Sequence, residues 1–173
     1  FDSRKVKKDH LFVAIRGLVS DGHDYIETAI NNGATSIVCE SIPKNLIDGV
    51  AYVEVDNSNK ALAIIASNFY ENPSETLRLV GVTGTNGKTT VTSLLYQLFK
   101  KAGYKVGLLS TVKIMVDETE YNATHTTPDS LTINKYLREM NAEGVEFCFM
   151  EVSSHGIHQY RTEGLHFEGG IFT

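Results

Sequence analysis

The sequence predicts an α/β fold: a small N-terminal α/β unit followed by a larger unit built on a truncated, mostly parallel sheet. Three observations carry this. Short β-branched runs alternate with stretches whose apolar residues recur at helical spacing. A polar stretch, Glu71-Asn72-Pro73-Ser74-Glu75, separates two such series, which divides the chain into domains at 1–74 and 75–173. After that stretch the order is strand, glycine-rich loop, helix, strand, and such alternation implies a doubly wound, largely parallel sheet.

The elements follow in order. Residues 11–15 form a short apolar strand. Residues 23–32 carry Tyr25, Ile26, Ala29 and Ile30 at helical spacing, and Gly33 stops that helix. Residues 36–39 and 52–55 are β-rich. A helix over 58–70 places Leu62, Ile65, Ala66 and Phe69 on one face. Beyond the polar stretch, 77–82 is a buried strand and 81–87 a loop. The next helix carries Val91, Leu94, Leu95, Leu98 and Phe99 as an apolar stripe, with Lys100 and Lys101 in its last turn and Gly103 after it. Then come a strand at 105–109, a helix at 131–142 and a strand at 145–152. Both ends read as cut, since Phe1 runs straight into a motif and 170–173 stops in a strand-like run.

Bulk properties set limits on function. The 173 residues are 42% hydrophobic and 21% charged, an ordinary globular composition. A formal net charge of −5 opposes general nucleic-acid binding, which needs a basic surface to displace counterions. No apolar run approaches the roughly 18 residues of a membrane span, and no signal peptide is visible. Cys39 and Cys148 sit inside apolar runs and read as buried thiols, which favours a reducing, cytoplasmic setting.

The segment Gly81-Val-Thr-Gly-Thr-Asn-Gly-Lys-Thr-Thr90 carries the most chemistry. A strand feeding a glycine turn and then a helix aims backbone N–H groups at an anion, and the helix dipole adds to the attraction. Glycines let the backbone approach phosphates closely. Lys88 supplies a point charge for the β- and γ-phosphates, and Thr89 offers a hydroxyl to Mg2+. The spacing departs from the general phosphate-loop pattern, because position 82 is Val where that pattern needs Gly. The larger unit is thus expected to be a P-loop-type mononucleotide-binding domain. The plainer alternative is a turn that only joins strand to helix.

Other groups point to the same strand edge. Phe147-Cys-Phe-Met-Glu151 is a strand that delivers a carboxylate at its end, where ligands of open α/β sheets sit. Glu151 could hold Mg2+ there or face water. His155, beside serines, has no oriented partners for nucleophilic catalysis and reads as a hydrogen-bonding loop residue. The hydroxyls of His125-Thr-Thr-Pro-Asp129 could cap the next helix or hold a ligand. Arg161 suits a carboxylate or phosphate, or is a solvated surface residue.

Together these segments resemble the Mur ligase family, closest to its tripeptide-forming branch. The resemblance covers nearly the whole chain. Its anchors are Asp2-Ser3-Arg4 with Asp9-His-Leu-Phe-Val-Ala14 and Asp21-Gly22-His23-Asp24-Tyr25; then Thr83-Gly-Thr-Asn-Gly-Lys-Thr89; then His125-Thr-Thr-Pro128; then Glu151-Val-Ser-Ser-His-Gly156. It implies that Gly84, Thr85, Asn86, Gly87, Lys88, Thr89 and Thr90 hold ATP, and that Thr89 and Glu151 hold Mg2+. Lys88 and Glu151 would serve catalysis. Phe1, Ser3, Leu18, Val19 and Ser20 would contact the uridine or pyrophosphate part of a UDP-sugar. His125, Thr126, Thr127, Ser153, Gln159 and Arg161 would contact its muramoyl-peptide part, although some members have Asn where this chain has His125. The implied reaction joins a diamino acid to the D-glutamate of UDP-N-acetylmuramoyl-L-alanyl-D-glutamate through an acyl phosphate. The residues do not say which diamino acid. The alternatives are a sister wall ligase, a folylpolyglutamate synthetase, or a non-catalytic nucleotide-binding module.

Overall fold

The computed structural model describes residues 1–17, 20–123 and 125–173. The chain divides into two compact units, Phe1–Leu62 and Ala63–Thr173. In the first, β1 (His10–Val13), β2 (Ala34–Cys39) and β3 (Ala51–Glu54) form a parallel sheet in that order. The predicted helix between β1 and β2 begins as a 3-10 turn, Gly22–Tyr25, because the Asp21 carboxylate accepts the His23 N–H and caps that turn. It continues as α1 (Ile26–Asn31). Ile26 and Ala29 of α1 pack on Phe12, Ala14, Ile37 and Cys39 to make this unit's core.

The second unit holds the larger sheet. Its strands are β4 (Arg78–Thr83), β5 (Val106–Leu109), β6 (Lys113–Val116), β7 (Thr119–Asn122), β8 (Phe147–Glu151) and β9 (Gly169–Phe172), in the order β7-β6-β5-β8-β4-β9. The four strands from β5 to β9 are parallel, as expected. The β6–β7 hairpin was not expected and pairs antiparallel at one edge. Side chains alternate across the sheet. Leu79, Leu109, Cys148 and Met150 meet Ile133, Leu137 and Met140 of α4 (Ser130–Ala142). The intervening Leu108 and Phe149 meet Tyr96 of α3 (Lys88–Lys101) on the other face.

Two helices pack differently from their sequence pattern. On α3 the buried residues are Thr92 and Tyr96, with Leu95 and Phe99 partly buried, while Leu94 and Leu98 are 59% and 60% exposed. Aromatic contacts set this rotation: the Phe99 ring lies 4.7 Å from Phe147 and 5.0 Å from Phe149, and Tyr96 donates to the Asp117 carbonyl. On α2 (Ser58–Phe69) Phe69 is exposed, because the helix packs through Leu62, Ala63 and Ala66 and through the Ser67 hydroxyl on the Gly164 carbonyl. The polar stretch at 71–75 lies inside the second unit as a packed turn. Pro73 and Ser74 are buried there, the Asn141 amide donates to the Pro73 carbonyl, and the Ser74 hydroxyl accepts the His166 N–H.

Leu98→Gln is therefore expected to change stability by less than about 0.5 kcal/mol, whereas Leu137→Ala, at a fully buried position, is expected to cost about 2–5 kcal/mol. Urea unfolding of both variants checks the assignment of faces.

Candidate nucleotide and substrate site

The phosphate loop has the anticipated geometry. β4 ends at Thr83, and α3 starts at Lys88 with Gly87 as its left-handed N-cap at φ 87°. Gly84 has φ 138°, and a Cβ there would lie 2.0 Å from the Thr173 carbonyl, so only glycine fits. The Lys88 ammonium folds back over the loop and donates to the carbonyls of Gly84 (2.7 Å) and Thr85 (3.4 Å). That geometry holds the cation at the loop's mouth.

Glu151 ends β8 and is 1% exposed, so it does not face water. Val82 pairs with it across β4, which brings the carboxylate beside the loop. The Thr89 hydroxyl donates to Oε2 (3.0 Å), the Thr111 N–H to Oε1 (2.8 Å) and the Thr111 hydroxyl to Oε2 (3.0 Å). Among the described residues no lysine or arginine forms an ion pair with it. All of these partners are neutral donors, so no protein cation competes for the carboxylate among the described residues. Thr89 donates its proton away, so its oxygen lone pairs are free to face the same cation. Among the described residues no group of three His, Cys, Asp or Glu side chains could make an all-protein metal cage. One carboxylate plus one hydroxyl fits Mg2+, which keeps water and takes phosphate oxygens as its remaining ligands.

The threonine turn before α4 does not cap that helix. Asp129 is the cap, accepting the Thr132 N–H at 3.0 Å. Thr127, 1% exposed, instead donates to the Glu151 carbonyl (3.0 Å) and accepts the Ser153 N–H (2.9 Å). Ser153 caps the unexpected short helix α5 (Ser154–His158) through the Gly156 N–H. Arg161 is no solvated surface group. Its guanidinium donates to Gln159 Oε1 from Nε (2.9 Å) and Nη2 (2.7 Å), and to the Thr127 carbonyl from Nη1. Thr127, Ser153, Gln159 and Arg161 thus form one network next to Glu151. Thr126 and the exposed His125 lie on the same turn. His155 pairs with Gln159 at 3.1 Å.

The first unit has its own cleft, about 450 Å³, lined by Phe1, Asp2, Ser3, Arg4, Gly17, Ser20 and Tyr25 among others. Asp2 caps the 3-10 turn Ser3–Lys5. The hydrogen bond from the Arg4 side chain holds its carboxyl below the usual range. Ser3 is buried and its carbonyl accepts from Asn32. Phe1, Ser3 and Ser20 thus share one cleft, while Leu18 and Val19 lie outside the described residues. Cys39 and Cys148 are free buried thiols, and burial raises the pKa of both.

A glycine loop on a parallel strand, opening a helix beside a buried carboxylate, defines a phosphate-binding α/β domain of the mononucleotide class. Residues 82–173 match the Mur ligase middle domain and residues 1–70 the domain described as Mur ligase family, catalytic domain. The chain belongs to the Mur ligase family. It is 51% identical over 172 residues to the UDP-N-acetylmuramoyl-L-alanyl-D-glutamate–2,6-diaminopimelate ligase of Phocaeicola vulgatus, covering 99% of this chain and 36% of that protein. It is 53% identical over 176 residues to the ligase of the same name from Cytophaga hutchinsonii, covering 100% and 36%. A solved structure of a ligase of that name superposes with TM-score 0.83 at 25% identity, over 99% of this chain and 34% of that one. The MurF ligase of Thermotoga maritima in complex with ADP gives 0.56 at 27% identity, over 88% and 31%. The chain thus spans about a third of the length of these relatives.

Sequence reasoning missed Thr111. Its only signal is its place just after the end of a strand adjoining the one that carries Glu151. Glu151→Gln is expected to fold normally, because the hydroxyls of Thr89 and Thr111 can turn to accept from the new amide. Mg2+ affinity in the presence of nucleotide should fall at least about tenfold, as a charge-assisted contact is lost. Chemical denaturation alongside Mg2+ titration separates the two effects.

Proposed function

We propose that these residues are the nucleotide-binding and substrate-binding part of an ATP-dependent amide ligase. In this reading it joins 2,6-diaminopimelate to the D-glutamate of UDP-N-acetylmuramoyl-L-alanyl-D-glutamate, in cytoplasmic assembly of the peptidoglycan precursor. The observation that carries it is the meeting of the phosphate loop, Lys88 and buried Glu151 at adjacent strand ends. The choice of diamino acid rests on the names of the relatives.

A carboxylate resists attack by an amine because its charge repels the nucleophile and oxide is a hopeless leaving group. Attack by a substrate carboxylate oxygen on the γ-phosphorus expels ADP and gives an acyl phosphate. The amine then attacks the acyl carbon, phosphate leaves with the C–O bond electrons, and the ammonium proton passes to solvent or base. The loop N–H groups would cradle the phosphates, and Lys88 would leave the carbonyls of Gly84 and Thr85 to neutralise the β- and γ-oxygens. Thr89 and Glu151 would hold Mg2+, which supplies charge neutralisation to the transferring phosphoryl group. Thr126, Thr127, Ser153, Gln159, Arg161 and His125 would position the muramoyl-peptide, and the cleft at Phe1, Ser3 and Ser20 would take the uridine end, with Leu18 and Val19. Acyl transfer needs three reactants within near-attack distance.

Lys88→Ala is expected to lower ATP affinity by at least about tenfold, the loss of a charge-assisted hydrogen bond, and to leave the melting midpoint unchanged. Calorimetry on the folded variant checks this, and unchanged binding overturns the loop assignment. For the reaction itself, the full-length gene product should release phosphate only when ATP, the UDP-muramoyl dipeptide and diaminopimelate are all present. Equal release with folate and glutamate would favour a different acceptor.

A further inference from the structure

The C-terminal end of β9 touches the phosphate loop through one residue that neither the loop motif nor the substrate network includes. The Thr173 N–H donates to the Thr83 carbonyl at 2.9 Å, continuing the ladder between β9 and β4. Its hydroxyl lies 2.5 Å from the Asn86 carbonyl and 3.2 Å from the Thr83 carbonyl. A hydroxyl carries one proton. The Thr83 carbonyl already has the Thr173 N–H, so the hydroxyl proton goes to the closer Asn86 carbonyl. Thr173 also roofs both loop glycines: its carbonyl and Oγ1 would lie 2.0 and 2.6 Å from a Cβ on Gly84, and its Cβ 3.6 Å from one on Gly87.

We propose that Thr173 is a positioning residue for the phosphate loop, its hydroxyl fixing the peptide plane between Asn86 and Gly87. All peptide bonds of the described chain are trans. In a trans peptide the carbonyl and the following N–H point in opposite directions. Tethering the Asn86 carbonyl to Thr173 therefore aims the Gly87 N–H away from β9. Among the described residues that N–H makes no hydrogen bond, so it is available to an anion. A glycine at φ 87° has no side chain to hold its own plane, and an untethered plane could turn its carbonyl toward the phosphate. Thr173 removes that alternative before the nucleotide arrives.

The inference rests on the nucleotide reading above, and the test keeps the two apart. Thr173→Val keeps the shape and removes the hydroxyl; Thr173→Ser restores it. Binding of adenylyl imidodiphosphate with Mg2+ to the full-length protein is measured by calorimetry, with the nucleotide-free melting midpoint alongside. Thr173→Val is expected to bind about fivefold more weakly, the equivalent of one ordinary hydrogen bond. Thr173→Ser should bind as the parent does, and all three melting midpoints should coincide. Equal affinity of Thr173→Val and the parent overturns the inference. So does a loss in Thr173→Ser as large as in Thr173→Val, which would assign the effect to the methyl group. Absence of binding by the parent itself removes the nucleotide reading, a result that needs no variant.

Discussion

Burying the Glu151 carboxylate at the end of β8 is the constraint around which the second unit is organised. A charge taken out of water costs several kcal/mol unless donors replace the lost hydration. Here the donors come from separate parts of the chain: Thr89 in the first turn of α3, and both the N–H and hydroxyl of Thr111 after β5. The backbone carbonyl of the same residue accepts from Thr127 ahead of α4. Each of these donors lies in a loop or at the end of an element. Glu151 therefore ties the phosphate loop, the β5 exit and the threonine turn to one another.

The connectivity of the sheet explains why these groups converge. From β4 the chain leaves through α3 on one face and returns at β5. From the neighbouring β8 it leaves toward β9 through residues 159–168, whose Leu165 and Phe167 pack in the core on the opposite face. Adjacent parallel strands whose outgoing connections part in this way leave a crevice at their carboxyl ends. The loop after β4 and the carboxylate at the end of β8 lie side by side at these carboxyl ends. The sequence order of the strands brings them together.

The parallel core was legible because its strands are continuous apolar runs and its first helix has a clean stop at Gly103. The hairpin was not, since Lys113–Val116 and Thr119–Asn122 are only four residues each and turn through Asp117, whose positive φ no glycine announces. The rotation of α3 was illegible for another reason. Five apolar residues satisfied the helical period, yet three phenylalanines, at 99, 147 and 149, decided which of them face the sheet. At the site, Lys88, Thr89 and Glu151 were readable because their types are tied to phosphate and cation chemistry. Thr111 carries no such mark: half of what it contributes is a backbone N–H, which any residue could donate. Arg161 looked like surface because the Thr127 carbonyl, 34 residues away, becomes its partner only after the chain folds back.

The antiparallel hairpin gives the sheet two unlike margins. β7 is short and presents Thr119, Glu120 and Asn122 to solvent, with Glu120 paired to Lys113. A charged, polar margin of four residues is a poor template for another chain's backbone. β9, at the opposite margin, reads Gly169-Gly170-Ile171-Phe172, carries no charge, and holds Phe172 at 83% exposure. The two margins of this sheet thus differ in kind: β7 is polar and charged, whereas β9 is uncharged and lies beside the residue that roofs the phosphate loop.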